Sequence, residues 1–104
     1  MKVKFISLNL FEGGLLFDNV FEFLEKENPD IVAFQEVMDG KDPSFDRNIR
    51  TVETLTTFYK DWHFHFAPEF LMVLANGKKV EIGNAIFSRF PITATTTSDF
   101  GIPY

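Results

Sequence analysis

The sequence predicts an α/β (α+β) chain organised around one mixed β-sheet, with its helices on a single face. Three observations carry that expectation. Two short apolar runs, at residues 3–10 and 31–37, enclose about a dozen residues of helical spacing, which is the order of a βαβ unit. A second helical pattern follows at about 46–59. Beyond it the chain turns to alternating and compact apolar runs punctuated by Asn76-Gly77, a hairpin signal.

The elements read as follows in chain order. Residues 3–10 form the first strand, and Glu12-Gly13-Gly14 marks a turn. Over 16–27 the apolar residues Phe17, Val20, Phe21 and Leu24 recur at helical spacing, with Glu22, Glu25 and Glu27 on the solvated side. Asn28-Pro29 stops that helix. Residues 31–37 form a strand of the buried kind that helices flank, and the helical crossover makes it a parallel partner of the first. Asp30, Asp39 and Asp42 read as turn residues. The second helix carries Ile49, Val52, Leu55 or Thr56, and Tyr59 on one side. Residues 62–67 alternate, 70–75 are compactly apolar, and strand pattern returns at 79–82, 85–87 and 93–97. Helices therefore cluster early, and the other sheet face is expected to lack cover within these residues.

Bulk properties bound the function. A chain of 104 residues fits one domain, and 45% apolar content predicts a packed core. Phenylalanine is abundant, with 14 residues against one Trp and two Tyr. Each buried aromatic removes roughly 150–250 Å² from water, so the rings either fill a dense core or face a partner surface. A net charge of −5 gives no electrostatic footprint for extended nucleic acid. A phosphate substrate stays open, because a divalent ion supplies positive charge locally. The absence of cysteine excludes disulfides and thiolate metal sites. The first residues enter strand pattern directly, and no apolar run approaches the length of a membrane span. A cytoplasmic setting is the expectation.

The chemistry concentrates at the strand ends. Pro29-Asp30-Ile31-Val32-Ala33-Phe34-Gln35-Glu36-Val37 delivers a carboxylate where a buried strand stops. Burying a charge is costly unless it is paired or binds a metal. Asn9 stands near the end of the first strand, so a parallel pairing brings Asn9 and Glu36 to one rim of the sheet. For Glu36 the alternative is a solvated strand end, and for Asn9 a side chain closing the next turn. His63 and His65 share one side of a strand, but their neighbours are aromatic and no acid is spaced to complete a metal set. They read as packing or surface residues. Arg89 reads as a surface ion pair or, less readily, a phosphate ligand. Gly83 and Asn84 read as serving backbone geometry.

Ser7-Leu8-Asn9-Leu10, then the segment from Pro29 to Val37, then Gly83-Asn84-Ala85-Ile86-Phe87-Ser88-Arg89-Phe90-Pro91-Ile92 come in a telling order. Together they resemble the amino-terminal half of the endonuclease/exonuclease/phosphatase superfamily. That group includes pancreatic-type deoxyribonucleases, abasic-site endonucleases, inositol polyphosphate phosphatases and bacterial sphingomyelinases. The resemblance implies a divalent-metal-dependent phosphoesterase in which Glu36 is a ligand of a catalytic Mg2+ (or Mn2+) and Asn9 sits beside the ion. It also implies that residues 1–104 are one half of a four-layer α/β sandwich, as in a truncated chain. The family's Asp-x-Asn pair and late Asp-His pair do not occur after Ile92. The chain alone is therefore expected to be inactive, since general-base assistance by itself is worth about 10²–10⁴ in rate. The substrate class stays open among nucleic acid, phospholipid and inositol phosphate. The expected partner is the carboxy-terminal half, or a second copy meeting the exposed sheet face. A non-catalytic scaffold or interaction domain on the same fold is the alternative.

Overall fold

The computed structural model describes residues 2–10, 17–47 and 49–92. The turn expected at Glu12-Gly13-Gly14 and the strand expected at 93–97 lie outside the described residues. The element order is β1 (Phe5–Asn9), α1 (Phe17–Glu27), β2 (Ile31–Asp39), α2 (Thr51–Phe58), β3 (His63–Val73) and β4 (Lys79–Ser88). The strands form one sheet in the order β1-β2-β4-β3. β1 lies parallel to β2, and β4 is antiparallel to both of its neighbours. The mixed sheet and the crossover-linked parallel pair are therefore as the sequence predicts.

Helix α1 carries Asp18 in its first turn and Lys26 in its last, the arrangement that complements the helix dipole. It ends where Asn28 adopts φ 49° and donates its N–H to the Leu24 carbonyl (2.8 Å), with Pro29 next. Asn tolerates this left-handed conformation, and Pro does not continue a helix. Helix α2 starts five residues later than the spacing predicts. Before it, Ile49 N–H bonds the Asp46 carbonyl (3.0 Å). Ile49 then accepts from Gly40 N–H (2.9 Å), and Arg50 bridges to Asp39. Backbone pairing with the end of β2 thus overrides helical periodicity here. Asp39 consequently lies on a strand and not in the expected turn.

One sheet face holds the main core. Phe17 and Leu24 from α1, and Leu55 with the α2 C-cap residue Tyr59, cover Val32, Phe34, Val37, Ala85 and Phe87. Phe34 and Phe87 meet edge to face at 5.7 Å, and both are almost fully buried. Each such ring contributes about 1.5–3 kcal/mol relative to exposure. Burial also pushes the Tyr59 hydroxyl up to about 12. The ring stacks on Trp62 at 4.0 Å.

The opposite face has more cover than expected. Met38, Phe45, Val80 and Ile82 form a second buried cluster, joined by Ile49, Met72 and Leu74. The loop after β2 supplies Phe45 and Ile49 and folds over the end of the β3–β4 hairpin. Lys78 ties it down through a short contact to the Asp42 carboxylate and a 3.0 Å bond to Ser44 Oγ. Asp42 also accepts from Ser44 N–H (2.9 Å). The Lys78 hydrogen bond, followed by those from Ser44, holds the Asp42 carboxyl well below the usual carboxylate range.

The two apolar runs at 62–67 and 70–75 are one strand, interrupted by a bulge at Glu69. Likewise 79–82 and 85–87 are one strand. The hairpin turn spans three residues and not two: Leu74 N–H bonds the Lys78 carbonyl, and Gly77 N–H bonds the Leu74 carbonyl. Gly77 has φ 82°, the left-handed position such a three-residue loop demands. Gly83 answers a different need. A Cβ there would lie 2.0 Å from the Ala67 carbonyl oxygen and 2.7 Å from Pro68 Cα. Both are backbone atoms held in the ladder, with no flexible group to yield.

Gly83→Ala is accordingly expected to destabilise by about 1–3 kcal/mol or more through overpacking, read as a lower midpoint in urea unfolding. A second expectation concerns acid. A depressed carboxyl contributes stability above its unfolded-state value and loses it as pH falls through that value toward the folded one. Melting temperature should therefore fall between pH 5 and pH 2. Lys78→Met, which removes the principal cause, should flatten that fall.

Candidate functional site

The pairing register decides which side chains share the uncovered end of the sheet. Phe5, Ser7 and Asn9 of β1 are level with Ile31, Ala33 and Gln35 of β2. Ile6 and Leu8 pack against the helix-side core, so Ser7 and Asn9 lie on the other face. On β2, Val32 and Phe34 face the helices, and so does Val37. The change from even to odd positions is possible only because the strand carries one extra residue between Phe34 and Val37. Phe34 pairs with Ala85 and Val37 with Gly83, which leaves Gln35 and Glu36 opposite the single β4 residue Asn84.

The extra residue is conformationally marked. Glu36 has φ 58°, a left-handed value rare outside glycine and worth about 1–2 kcal/mol of strain. The sequence reading put Glu36 at a strand end. In the structure β2 continues to Asp39, and Glu36 sits at an interior bulge. The bulge turns its carboxylate out of the helix-side core and onto the face that carries Ser7, Asn9 and Gln35. Glu36 is half-buried there. Gln35 is fixed beside it, donating from Nε2 to Ser7 Oγ (3.1 Å) and to the Ala33 carbonyl (3.4 Å). Asn9, the last residue of β1 and exposed, is level with Gln35 and so one position short of Glu36.

A cleft of about 560 Å³ opens at this place. Gln35, Glu36, Glu69 and Asn84 give it a polar end, and Met38, Phe70, Met72 and Ile82 give it an apolar wall. The two carboxylates face it with no lysine or arginine among its lining residues, so its potential favours a cation. Glu69 is itself a bulged residue, in β3, and its Oε1 accepts from Asn84 Nδ2 (2.8 Å). Sequence reasoning passed over this pair and took Asn84 for a backbone residue. The available signals were Pro68 inside a strand run and Gly83 inside the next, both of which mark bulges and close approaches.

The remaining candidates lie elsewhere. His63 and His65 share the Asn9 face, as their spacing implies, but pair with Ser88 and Ile86, farther from the cleft. Arg89 takes the ion-pair reading, with Nε 3.4 Å from Asp30 Oδ1, and stacks over Trp62. Among the described residues no three or more His, Asp or Glu gather in a metal-ligating group. The Asn9–Glu36 neighbourhood instead offers one carboxylate with amide groups at hand. Such a partial set of oxygen donors suits a hard divalent cation that keeps several of its waters.

Comparison with known proteins gives this geometry a family. The model of the Endonuclease/Exonuclease/phosphatase family matches residues 6–104. No curated protein matches the sequence significantly. Among solved structures, the chain resembles an endonuclease/exonuclease/phosphatase from Beutenbergia cavernae DSM 12333, with TM-score 0.68 and 17% identity. It covers 89% of this chain and 27% of that one. An endonuclease/exonuclease/phosphatase family protein from Leptotrichia buccalis C-1013-b gives TM-score 0.59 and 19% identity, over 89% of this chain and 39% of that one. The chain thus spans less than half the length of either neighbour. At these identities the likenesses speak for the fold alone, and the match over 6–104 speaks for descent. By that match, and by the mixed sheet with helices on one face, the chain belongs to the endonuclease/exonuclease/phosphatase family.

Proposed function

We propose that this chain is the amino-terminal part of a divalent-metal-dependent phosphoesterase, in which Glu36 and Asn9 hold a Mg2+ or Mn2+ ion at the head of the β1–β2 pair. The family generally comprises metal-dependent phosphoesterases, which supports the reaction class. The observation that carries the assignment to Glu36 is its strained φ of 58° at the bulge. Strain of this kind persists where the surrounding structure over-determines it, and it concentrates at functional sites. An unstrained, regular strand would point the same side chain into the helix-side core.

The roles follow from chemistry at named atoms. The Glu36 carboxylate supplies an anionic oxygen ligand, and the Asn9 amide a neutral one. Gln35, held by Ser7 and Ala33, keeps the rim between them ordered. When bound, the ion would offset charge developing on the phosphoryl oxygens of an ester under attack by water. The apolar wall of Met38, Met72 and Ile82 excludes water from one side of the cleft. The substrate is a phosphodiester or phosphomonoester. Phosphate-orienting groups and a general base would come from the rest of the parent protein, so residues 1–104 alone are proposed to be inactive.

Three measurements test this reading. In the full-length protein, assayed on bis(p-nitrophenyl) phosphate with Mg2+, Glu36→Gln should lower turnover by more than the roughly 10–100-fold that loss of an outer-shell partner costs. Unchanged turnover would remove Glu36 from the site and favour the scaffold alternative. Glu36→Gly should separate strain from function: activity lost, and unfolding free energy raised by up to about 1 kcal/mol as the left-handed position is relieved. For the isolated chain, the exposed Phe5 and Phe70 on the face opposite the helices should drive self-association. Light scattering on a size-exclusion column should show species larger than a monomer, and a clean folded monomer would contradict this.

A further inference from the structure

The two irregularities of the sheet converge on one side chain of β4. On its β2 side Asn84 faces Gln35 and Glu36; on its β3 side it pairs with Ala67, and the inserted residue Glu69 lies two positions beyond. Asn84 is half-buried and Glu69 exposed. The Asn84 Nδ2 bond to Glu69 Oε1, at 2.8 Å, is a charge-assisted contact. It engages one carboxylate oxygen and leaves Oε2 as an acceptor.

We propose that Asn84 is a positioning residue of the phosphoesterase site: it holds the Glu69 carboxylate at the cleft opposite Glu36, where Oε2 accepts hydrogen bonds from water around the cation. This rests on the reading of Glu36 given above. Two carboxylates lining one cleft repel each other, and an exposed glutamate on an edge strand would otherwise turn toward bulk solvent. The amide opposes that turn without adding charge. A lysine at 84 would neutralise Glu69, and an aspartate would repel it. Magnesium keeps most of its waters when protein-bound, so groups that orient those waters matter as much as direct ligands. The bulges are offset along β4, the one in β2 opposite Asn84 and the one in β3 between the partners of Gly83 and Ile82, so the Asn84 side chain reaches along the ladder to Glu69. The β2 bulge presents Glu36 and the β3 bulge presents Glu69, on either side of the one residue that ties them.

An exchange of partners separates this role from a merely structural one. In Asn84→Asp combined with Glu69→Gln, the hydrogen bond re-forms with donor and acceptor reversed, but the carboxylate moves from 69 to 84. In the full-length protein the melting temperature of this double variant should return to the wild-type value after a loss in Asn84→Asp alone. Mn2+ binding, followed by electron paramagnetic resonance of the free ion, should stay at least about 10-fold weaker than wild type. Glu69→Gln alone, which requires no refolding of the pair, should show the same weakening. Recovery of Mn2+ affinity together with stability in the exchanged variant, or unaltered affinity in Glu69→Gln, would overturn the proposal. Glu36→Gln is the control. If it binds Mn2+ as wild type does, the metal-site reading itself falls, and the Asn84 role with it. If it is defective while the exchanged variant is not, only the role of Asn84 falls.

Discussion

The structure turns on the extra residue in β2. A regular strand divides its side chains evenly between two faces, and a one-residue slip sends every later side chain to the opposite side. Here the slip is built in. Before Glu36, Val32 and Phe34 serve the helix-side core; after it, Val37 takes over that duty and Met38 serves the second cluster. The same residue thus lets one strand feed two cores and brings an acid out of an apolar run. Removing the bulge would bury Glu36 and expose Val37, so the site and the packing are consequences of one register choice.

That choice has a counterpart across the ladder. β4 is regular and stays buried along much of its length, with partners on both sides. Its neighbours bend around it, at Glu36 on one side and Glu69 on the other. Gly83 makes the β3 bend possible by letting the Ala67 and Pro68 backbone approach to a distance that no side chain would permit. The residue after it, Asn84, faces the open side. A packing requirement and a polar contact are thus set on consecutive residues, which alternation aims at opposite faces.

Much of this was legible in the sequence, and the reasons are local. Apolar spacing at Phe17, Val20, Phe21 and Leu24 located α1, Asn28-Pro29 closed it, and the order of patterns gave the parallel pair. Glu36 stood out because a charge at the end of an apolar run is expensive. What escaped were effects that depend on partners far along the chain. The late start of α2 follows from Gly40 and Asp39 pairing with Ile49 and Arg50, a contact invisible to helical periodicity. The continuity of β3 through Pro68-Glu69 depends on β4 tolerating a bulge. The Asn84–Glu69 hydrogen bond required knowing that Glu69 would stand across from Asn84. The cover supplied by Phe45 and Ile49 to the second face required the Lys78 tether.

The strand order carries a consequence for how the chain comes together. β4 lies between β2 and β3, although it is the last of the four to leave the ribosome. Until it arrives, β2 has a bare hydrogen-bonding edge, with Glu36 in a segment that nothing yet forces to bulge. The hairpin with β3 closes over a short loop and can form quickly, whereas its insertion beside β2 joins residues some fifty positions apart, for example Val32 and Phe87. The left-handed backbone at Glu36 thus depends on pairing with a strand that lies more than forty residues further along the chain.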